Sequence, residues 1–523
     1  MSQAKNCSPY KNTFFLLFVV ATFISNVGTW LFSVGSGWLM TDLDSSPLMV
    51  SLVQTATLIP LCILALPAGA IGDIYNQKKI IIISQSFLIL NTLVFAYIVY
   101  LDKATVTNLL IFTVLNGMGA AFARPVLAAL TPQLVGREQL DTAVNLTGVG
   151  YNLSRALGPI LGGALITIFA IDMPFWVDAV SFAAVIVVIL FWKPKKKDDN
   201  LPRRKLRLAM ADSIRFLRHT PALYHSIMRA IIFFFTAAAL WALLPLIAKE
   251  QLGGGADLYG YFLGAAGFGA VAGVALSNLT KDKFTTNRIT VLTSCILGVC
   301  LIILGITSHK YLVMGTCFFS GICWHMAYAS IMTSAHYALP KWYGARGMAY
   351  FLMAVSGSMA AGSAIWGFLA EQTSIAISLY VSGGLGVALA FVAVKFPLGL
   401  AEAGTSKIAT DIPELSLPSD KDNGGWIMVQ IVYTIARNKK KEALRKIRNL
   451  RNSRYRGGAV KWKLFSSAEK ENQVVESFYE VSLDQFEIHQ RQITKSDKES
   501  FDSLKSWIEK NKGSIERQYY LEA

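Results

Sequence analysis

The stretch KPKKKDDNLPRRKLR, from Lys193 to Arg207, divides this sequence into two apolar halves. Hydrophobic residues make up 53% of the chain and charged residues only 16%, whereas about a quarter of an average soluble domain is charged. A membrane-spanning helix needs roughly 20 apolar residues. Six such runs precede the basic stretch and six follow it, which predicts an all-α polytopic membrane protein of two six-helix halves. The runs lie at about residues 13–39, 47–71, 79–101, 108–131, 143–170, 174–192, 228–248, 257–279, 289–308, 311–336, 347–370 and 374–397.

The basic residues of the short loops predict the orientation. With the N-terminus in the cytoplasm, the inner loops contain Lys78, Lys79, Arg137, Lys281, Lys283, Arg288, Lys341 and Arg346, and the outer loops Lys103, Lys249 and Lys310. Lys and Arg favour the cytoplasmic side, where the long basic stretch also falls. We therefore expect an inner-membrane protein with both termini in the cytoplasm. The net charge of +16 follows from these loops and does not indicate nucleic-acid binding.

The composition changes again after the last apolar run. We predict an N-terminal half (1–192), a basic cytoplasmic loop (193–227), a C-terminal half (228–397), a linker (398–424) and a cytoplasmic domain (425–523), called the tail below. Strand-like and helix-like segments alternate in the tail in the order β-α-β-β-α-β. This order is typical of an α+β ferredoxin-like sandwich.

The first part of the tail is strongly basic. Twelve Lys and Arg lie between Arg437 and Lys463, against the single acid Glu442. A surface for anionic lipid, a surface for an acidic partner and a solvated face are all consistent with this pattern. The sandwich also resembles the dimeric α/β-barrel group, which contains antibiotic-biosynthesis monooxygenases. A homodimer through the tail and an enzymatic tail therefore stay open, although fold likeness alone does not confer activity.

A charge and a proline interrupt the fifth apolar run, in SRALGPILGG from Ser154 to Gly163. Arg155 falls near the centre of the span, where a charge costs at least about 2.5–3.5 kcal/mol on insertion scales. Its nearest potential partner in sequence is Asp178 on span 6. The pair would either fix the two spans or let Asp178 take a proton and release Arg155 towards an acidic substrate. Gly158, Gly162 and Gly163 let another helix approach, span 8 being one candidate, and Pro159 frees a backbone carbonyl.

The loop after the second span reads GAIGDIYNQKK, from Gly69 to Lys79. It resembles the loop motif of the major facilitator superfamily, which it matches at Gly69, Asp73 and Lys79. Ile74 stands where that motif has Arg, and Asn76 where it has Gly. The resemblance implies that Asp73 faces the N-terminus of span 11, whose dipole favours an anion, with Arg346 nearby.

The fifth span resembles the antiporter motif of the same superfamily. Gly158, Pro159, Gly162 and Gly163 match it, while Asn145 and Ser154 replace two glycines. The segments Arg229–Gly273, Ala338–Met353 and His489–Thr494 resemble the transmembrane secretion effector branch, which includes the enterobactin exporter. The resemblance implies a secondary active exporter of a siderophore-like or drug-like small molecule, driven by proton antiport. On span 4, Thr113 occupies the place of the family's functional Arg.

Four further polar residues within the spans are transport candidates: Asn26, Gln54, Arg124 and His325. Each also has a purely structural interpretation, as a helix-bridging hydrogen bond, an arginine that extends towards the membrane interface or a satisfied core histidine. The sequence contains no phosphate-binding loop and no His/Cys cluster with metal-ligand spacing, so we expect no cofactor or metal. Two alternatives to a simple exporter stay open: an exporter fused to an enzymatic tail, and a membrane sensor that does not transport.

Overall fold

A computed structural model of the chain describes residues 12–135, 139–192, 217–280, 283–339, 344–398, 425–490 and 493–522. Long helices fill the membrane part: α1 (Thr13–Leu43), α2 (Pro47–Ile74), α3 (Gln77–Tyr100), α4 (Val106–Leu134), α5 (Leu140–Ile168), α6 (Met173–Phe191), α7 (Pro221–Leu246), α8 (Ala256–Thr280), α9 (Thr286–Ile306), α10 (Lys310–Tyr337), α11 (Gly344–Gln372) and α12 (Ile375–Val392). Within the described ranges, eleven helices are long and apolar enough to cross a membrane. The sequence predicts twelve spans, and α5, the fifth of them, is not among these eleven helices. Its apolar run is interrupted by Asn145, Asn152 and Arg155.

Side-chain caps fix where several of these helices begin. Asn12 Oδ1 accepts a hydrogen bond from the Phe15 amide at 3.1 Å at the start of α1. Thr105 and Asn108 form a capping box at the start of α4. Helix α7 begins at Pro221, earlier than the apolar run indicated, and continues into a π-helical turn over Ile247–Gln251.

Lys78 caps the end of another helix. Its Nζ donates to the carbonyl oxygens of Leu190 and Trp192, both at 2.7 Å. The last carbonyls of a helix have no partner within the helix, and a cation is favourable beside them. A residue of the loop motif therefore fastens the start of α3 to the end of α6.

The tail forms an α+β domain around an antiparallel sheet. Its elements are β1 (Ile427–Thr434), α13 (Lys440–Asn449), α14 (Arg451–Arg456), β2 (Lys461–Ser466), β3 (Gln473–Glu480), α15 (Leu483–Gln490), α16 (Lys495–Lys510) and β4 (Ser514–Leu521). The four strands are arranged in the order β2-β3-β1-β4. Alternate residues of β1, such as Val429 and Ile431, are buried in a core with Ala443 and Ile508 of the helices.

Candidate transport site

Arg155 lies half-way along α5 with only 8% of its surface exposed. Its guanidinium carbon is 5.2 Å from the ring centroid of Trp241 on α7 and 5.5 Å from that of Trp324 on α10. The two indoles meet edge to face, with centroids 5.3 Å apart. The cation therefore lies where the N-terminal half meets two aromatic rings of the C-terminal half, an arrangement that favours a cation–π contact.

Two hydrogen-bond donors at this point have no acceptor. Arg155 Nε and Trp241 Nε1 are both buried, and neither has a partner among the described residues. Sequence reasoning selected Arg155 but missed Trp241 and Trp324. Their residue type was the only signal in the sequence. It did not identify them, because an indole in an apolar run resembles any other core side chain.

Asp178 is fully buried on α6, and neither of its carboxyl oxygens has a hydrogen-bond partner in the described part of the chain. The carboxyl lies against α1: a Cβ built on Gly28 would be 2.7 Å from Asp178 Oδ1. The expected ion pair with Arg155 is not formed. The two side chains leave α5 and α6 towards different neighbours, one to the indoles of α7 and α10 and the other to α1.

Helices α5 and α8 approach closely through glycines, along a line we call the α5–α8 seam (Gly163, Gly260, Gly264 and Gly267). A Cβ on Gly163 would lie 2.5 Å from the Ala256 carbonyl oxygen, and one on Gly260 2.6 Å from that of Pro159. Pro159 has no N–H, so the carbonyl of Arg155 lacks its helical donor. Gly267 packs over that carbonyl, at 2.6 Å from a built Cβ, and the seam thus holds Arg155 in place.

The glycines of the fifth span do not all serve this seam. Gly158 and Gly162 face α1 instead, where a Cβ would meet Trp30 at 2.6 Å and Val34 at 3.0 Å. The expectation that span 8 packs on the glycines of SRALGPILGG is thus right for Gly163 and wrong for the other two. Positions 158 and 162 lie one turn apart on one face of α5, and position 163 lies about 100° further round the helix.

Polar contacts join the two halves at one end of the bundle. Lys249 Nζ lies 2.5 Å from Asp42 Oδ1 and donates to the Thr41 carbonyl at 2.7 Å, which ties the end of α7 to the end of α1. The Leu48 amide donates to Glu371 Oε2 at 3.1 Å, which ties α2 to α11. The loop charges predict that this end is the outer one.

The other candidates within the spans are separate from this cluster, with one exception. His325, half-buried, follows Trp324 directly, and its Cβ lies 3.1 Å from a Cβ built on Gly273 of α8. Asn26 and Gln54 are half-buried on α1 and α2. Arg124 is exposed on α4. The structure therefore places His325 next in sequence to Trp324, whose ring contacts Arg155.

The loop motif is described only in part. Gly69 has open space around it, with nothing within 4 Å of a built Cβ, and Lys79 is exposed. The side chains of Asp73 and Arg346 lie outside what the structure describes, so their expected proximity stays a prediction. The neighbouring Lys78, as the cap of α6, has the clearest structural role in this loop.

A buried charge network lies inside the tail. Glu476, fully buried on β3, accepts hydrogen bonds from Arg454 Nε at 2.9 Å, Tyr433 Oη at 2.6 Å and Trp462 Nε1 at 2.8 Å. Burial alone would raise the pKa of Glu476, but the Arg454 charge and these donors hold that pKa below its usual value. Two of the twelve basic residues are thus structural, because Arg456 likewise pairs with Asp497.

Comparison with known proteins agrees with this architecture. A family model described as transmembrane secretion effector matches residues 4–520. The staphyloferrin A transporter of Staphylococcus aureus is 22% identical over 306 residues, which cover 57% of this chain and 75% of that relative. The multidrug efflux pump Tap of Mycolicibacterium fortuitum is 26% identical over 216 residues, covering 40% of this chain and 53% of the pump. Macrolide efflux protein A of Streptococcus pyogenes is 22% identical over 218 residues, covering 41% and 54%.

Solved structures show the same fold. A bacterial homologue of the human lysosomal transporter Spinster, in an inward-facing conformation, has a TM-score of 0.56 at 14% identity and covers 74% of this chain and 96% of its own. The nucleoside transporter NupG has a TM-score of 0.57 at 11% identity, with 73% and 99% covered. Because the family model spans nearly the whole sequence, this multi-pass membrane protein belongs to the transmembrane secretion effector family of major facilitator transporters.

Proposed function

We propose that the protein exports a siderophore-like or drug-like small molecule across the inner membrane by proton antiport. In this proposal α5 also spans the membrane, which completes the twelve spans, and both termini are cytoplasmic. The two six-helix halves open alternately to the two sides of the membrane around Arg155. Efflux and siderophore transport are known for its relatives at low identity, and they favour export of a small molecule.

The observation that carries the proton coupling is the buried carboxyl of Asp178, whose oxygens make no hydrogen bond within the described residues. An ionised carboxylate without a partner is far more costly in apolar surroundings than a neutral one. We therefore infer that Asp178 holds a proton in this conformation and releases it when movement of α1 lets water reach the site. Intramembrane carboxyls of this kind serve as proton relays in pumps and transporters.

The contacts at the predicted outer end support alternating access. The Lys249–Asp42 and Leu48–Glu371 contacts join one half to the other on that side, and the α5–α8 seam continues from Gly163 near that end to Gly267 beside Arg155. An exporter that is closed outwards is ready to take its substrate from the cytoplasm. Release to the outside requires these contacts to separate.

For the tail, we propose a ferredoxin-like domain that pairs with a second copy through the open face of its sheet. That face forms a concavity of about 700 Å³ lined by aromatic and basic side chains, among them Trp426, Lys463 and Tyr520. Trp426, Phe465 and Tyr520 are 40%, 49% and 45% exposed. We also propose that the segments predicted from the sequence end at residues 192, 227, 397 and 424.

Secretion and vesicle uptake test the function. We expect a deletion strain to lose one class of compound from its medium, and everted vesicles with the protein to accumulate that compound. Accumulation should collapse with a protonophore and with Asp178→Asn. It should survive Asp172→Asn, since Asp172 already has a partner in Trp176 Nε1 at 2.9 Å. Full accumulation in protonophore-treated vesicles would exclude proton antiport.

A further inference from the structure

The pair formed by Arg155 and Trp241 is unusual because Arg155 Nε and Trp241 Nε1 are both buried donors, and neither has an acceptor in the part of the chain that the structure describes. A buried donor left unpaired costs about 1–3 kcal/mol, and more when it is charged. Both donors belong to side chains in direct contact, with the guanidinium carbon 5.2 Å from the indole centroid. Two such donors on contacting side chains indicate that the acceptor comes from outside the chain.

The side chains restrict what that acceptor is. Guanidinium and indole N–H groups only donate hydrogen bonds, and the fixed positive charge repels a cation. A carboxylate matches the guanidinium in shape and charge and can accept two of its hydrogen bonds. The second indole, Trp324, lies 5.5 Å from the same guanidinium and makes its surroundings aromatic, which favours a ring attached to the carboxylate.

We propose that Arg155, Trp241 and Trp324 bind the carboxylate, or a similarly delocalised oxyanion, of an aromatic organic acid. This inference rests on the proposed function in taking the meeting point of the two halves as the substrate site. Asp178 does not compete for the cation, because its carboxyl lies against Gly28 of α1. In the described ranges no carboxylate lies within ion-pair distance of Arg155, so the substrate's anion completes the site.

Small probes that differ only in charge or ring character test the binding site in the purified full-length protein. Benzoate is a planar aromatic anion, benzamide its neutral counterpart, benzamidine its cationic counterpart, and cyclohexanecarboxylate an anion without an aromatic face. Tryptophan fluorescence reports binding. We expect benzoate to bind about tenfold or more tightly than benzamide, the range that one charged hydrogen bond provides. Benzamidine should not bind, and cyclohexanecarboxylate should bind more weakly than benzoate.

Two variants assign the preference to this site. Arg155→Gln should abolish the advantage of benzoate over benzamide, and Trp241→Phe, which keeps a ring but removes the N–H donor, should reduce it several-fold. Arg288→Gln is the matched control, because Arg288 is exposed at the start of α9 and should leave the preference unchanged. Equal binding of benzoate and benzamide to the unaltered protein, or an unchanged preference in Arg155→Gln, would overturn the proposal.

Thermal stability separates a binding role from a structural one. If Arg155 only held helices together, Arg155→Gln would lower the unfolding midpoint of the ligand-free protein. An unpaired buried charge is instead a destabilising element, so we expect the midpoint to stay the same or rise. Should Arg155→Gln fail to fold, the arginine is structural and the proposal is lost. Binding is measured without a proton gradient, so failure of antiport and failure of this inference are distinguishable.

Discussion

Two buried acidic side chains of this chain have opposite surroundings. Glu476 in the tail accepts hydrogen bonds from three different side chains, whereas Asp178 on α6 accepts none among the described residues. A fully satisfied buried charge makes a fold specific, while an unsatisfied one is free to change its protonation or its partner. The same type of side chain is therefore structural in one part of the chain and, in our proposal, functional in the other.

The Glu476 network predicts an acid-sensitive tail. Because the pKa of Glu476 is lowered on folding, its contribution to stability is present above its unfolded pKa and is lost as the pH falls through the folded one. Glu476→Gln should destabilise the domain by about 3–5 kcal/mol, because Arg454 is left as an unpaired buried charge. Hydrogen exchange of β1 and β3 in the full-length protein measures this loss.

The variant also removes the acid sensitivity itself. Exchange of the sheet in Glu476→Gln should change less between neutral and acidic pH than in the unaltered protein. Glu471→Gln is the control, because its ion pair with Arg437 is on the surface, with both side chains more than half exposed, and such pairs contribute little. Equal effects of the two variants would show that burial of Glu476 does not determine its role.

At the scale of elements, the α5–α8 seam distinguishes glycines that face the other half from glycines that do not. Gly163→Val should reduce export strongly without loss of expression, because its side chain would meet the backbone of Ala256 and favour separation of the outer ends. Gly384→Val on α12 is the matched control, since nothing lies within 4 Å of a Cβ built there. Accessibility of single cysteines near Asp42 to an impermeant thiol reagent reports the separation, and unchanged accessibility in Gly163→Val would contradict it.

The elements themselves were largely predictable, and their contacts were not. Apolar runs placed the long helices, and the predicted alternation of strands and helices in the tail is observed, with two helices in the place of each predicted one. Hydropathy does not show which face of a helix meets which neighbour, so Gly158 and Gly163 looked equivalent. Distance in sequence suggested that Arg155 pairs with Asp178, but its contacts come from α7 and α10, far along the chain.

At the scale of the whole molecule, the chain joins a membrane transporter to an α+β domain that has its own hydrophobic core. We expect the full-length protein in detergent to be a dimer, and Phe465→Glu to shift it towards monomer by placing a charge in the paired sheet face. Ser500→Glu on α16, exposed on the helical layer, should leave the dimer intact. Light scattering measures the mass, and a monomeric unaltered protein would disprove pairing.

In our proposal, the glycine contacts of α5 and α8 also determine how abruptly the predicted outer end can open. Attraction between closely packed atoms is short in range, and a gap of about 0.5–1 Å already removes a quarter to a half of it. The backbones of α5 and α8 touch along the whole α5–α8 seam, so separating them removes this attraction at all of its contacts at almost the same time. A partly separated seam therefore has little to stabilise it. The Lys249–Asp42 pair, at 2.5 Å, acts over a longer distance and can guide the ends back together. We therefore expect the predicted outer end to open cooperatively, with short-lived intermediate openings, and the ion pair to guide its closure.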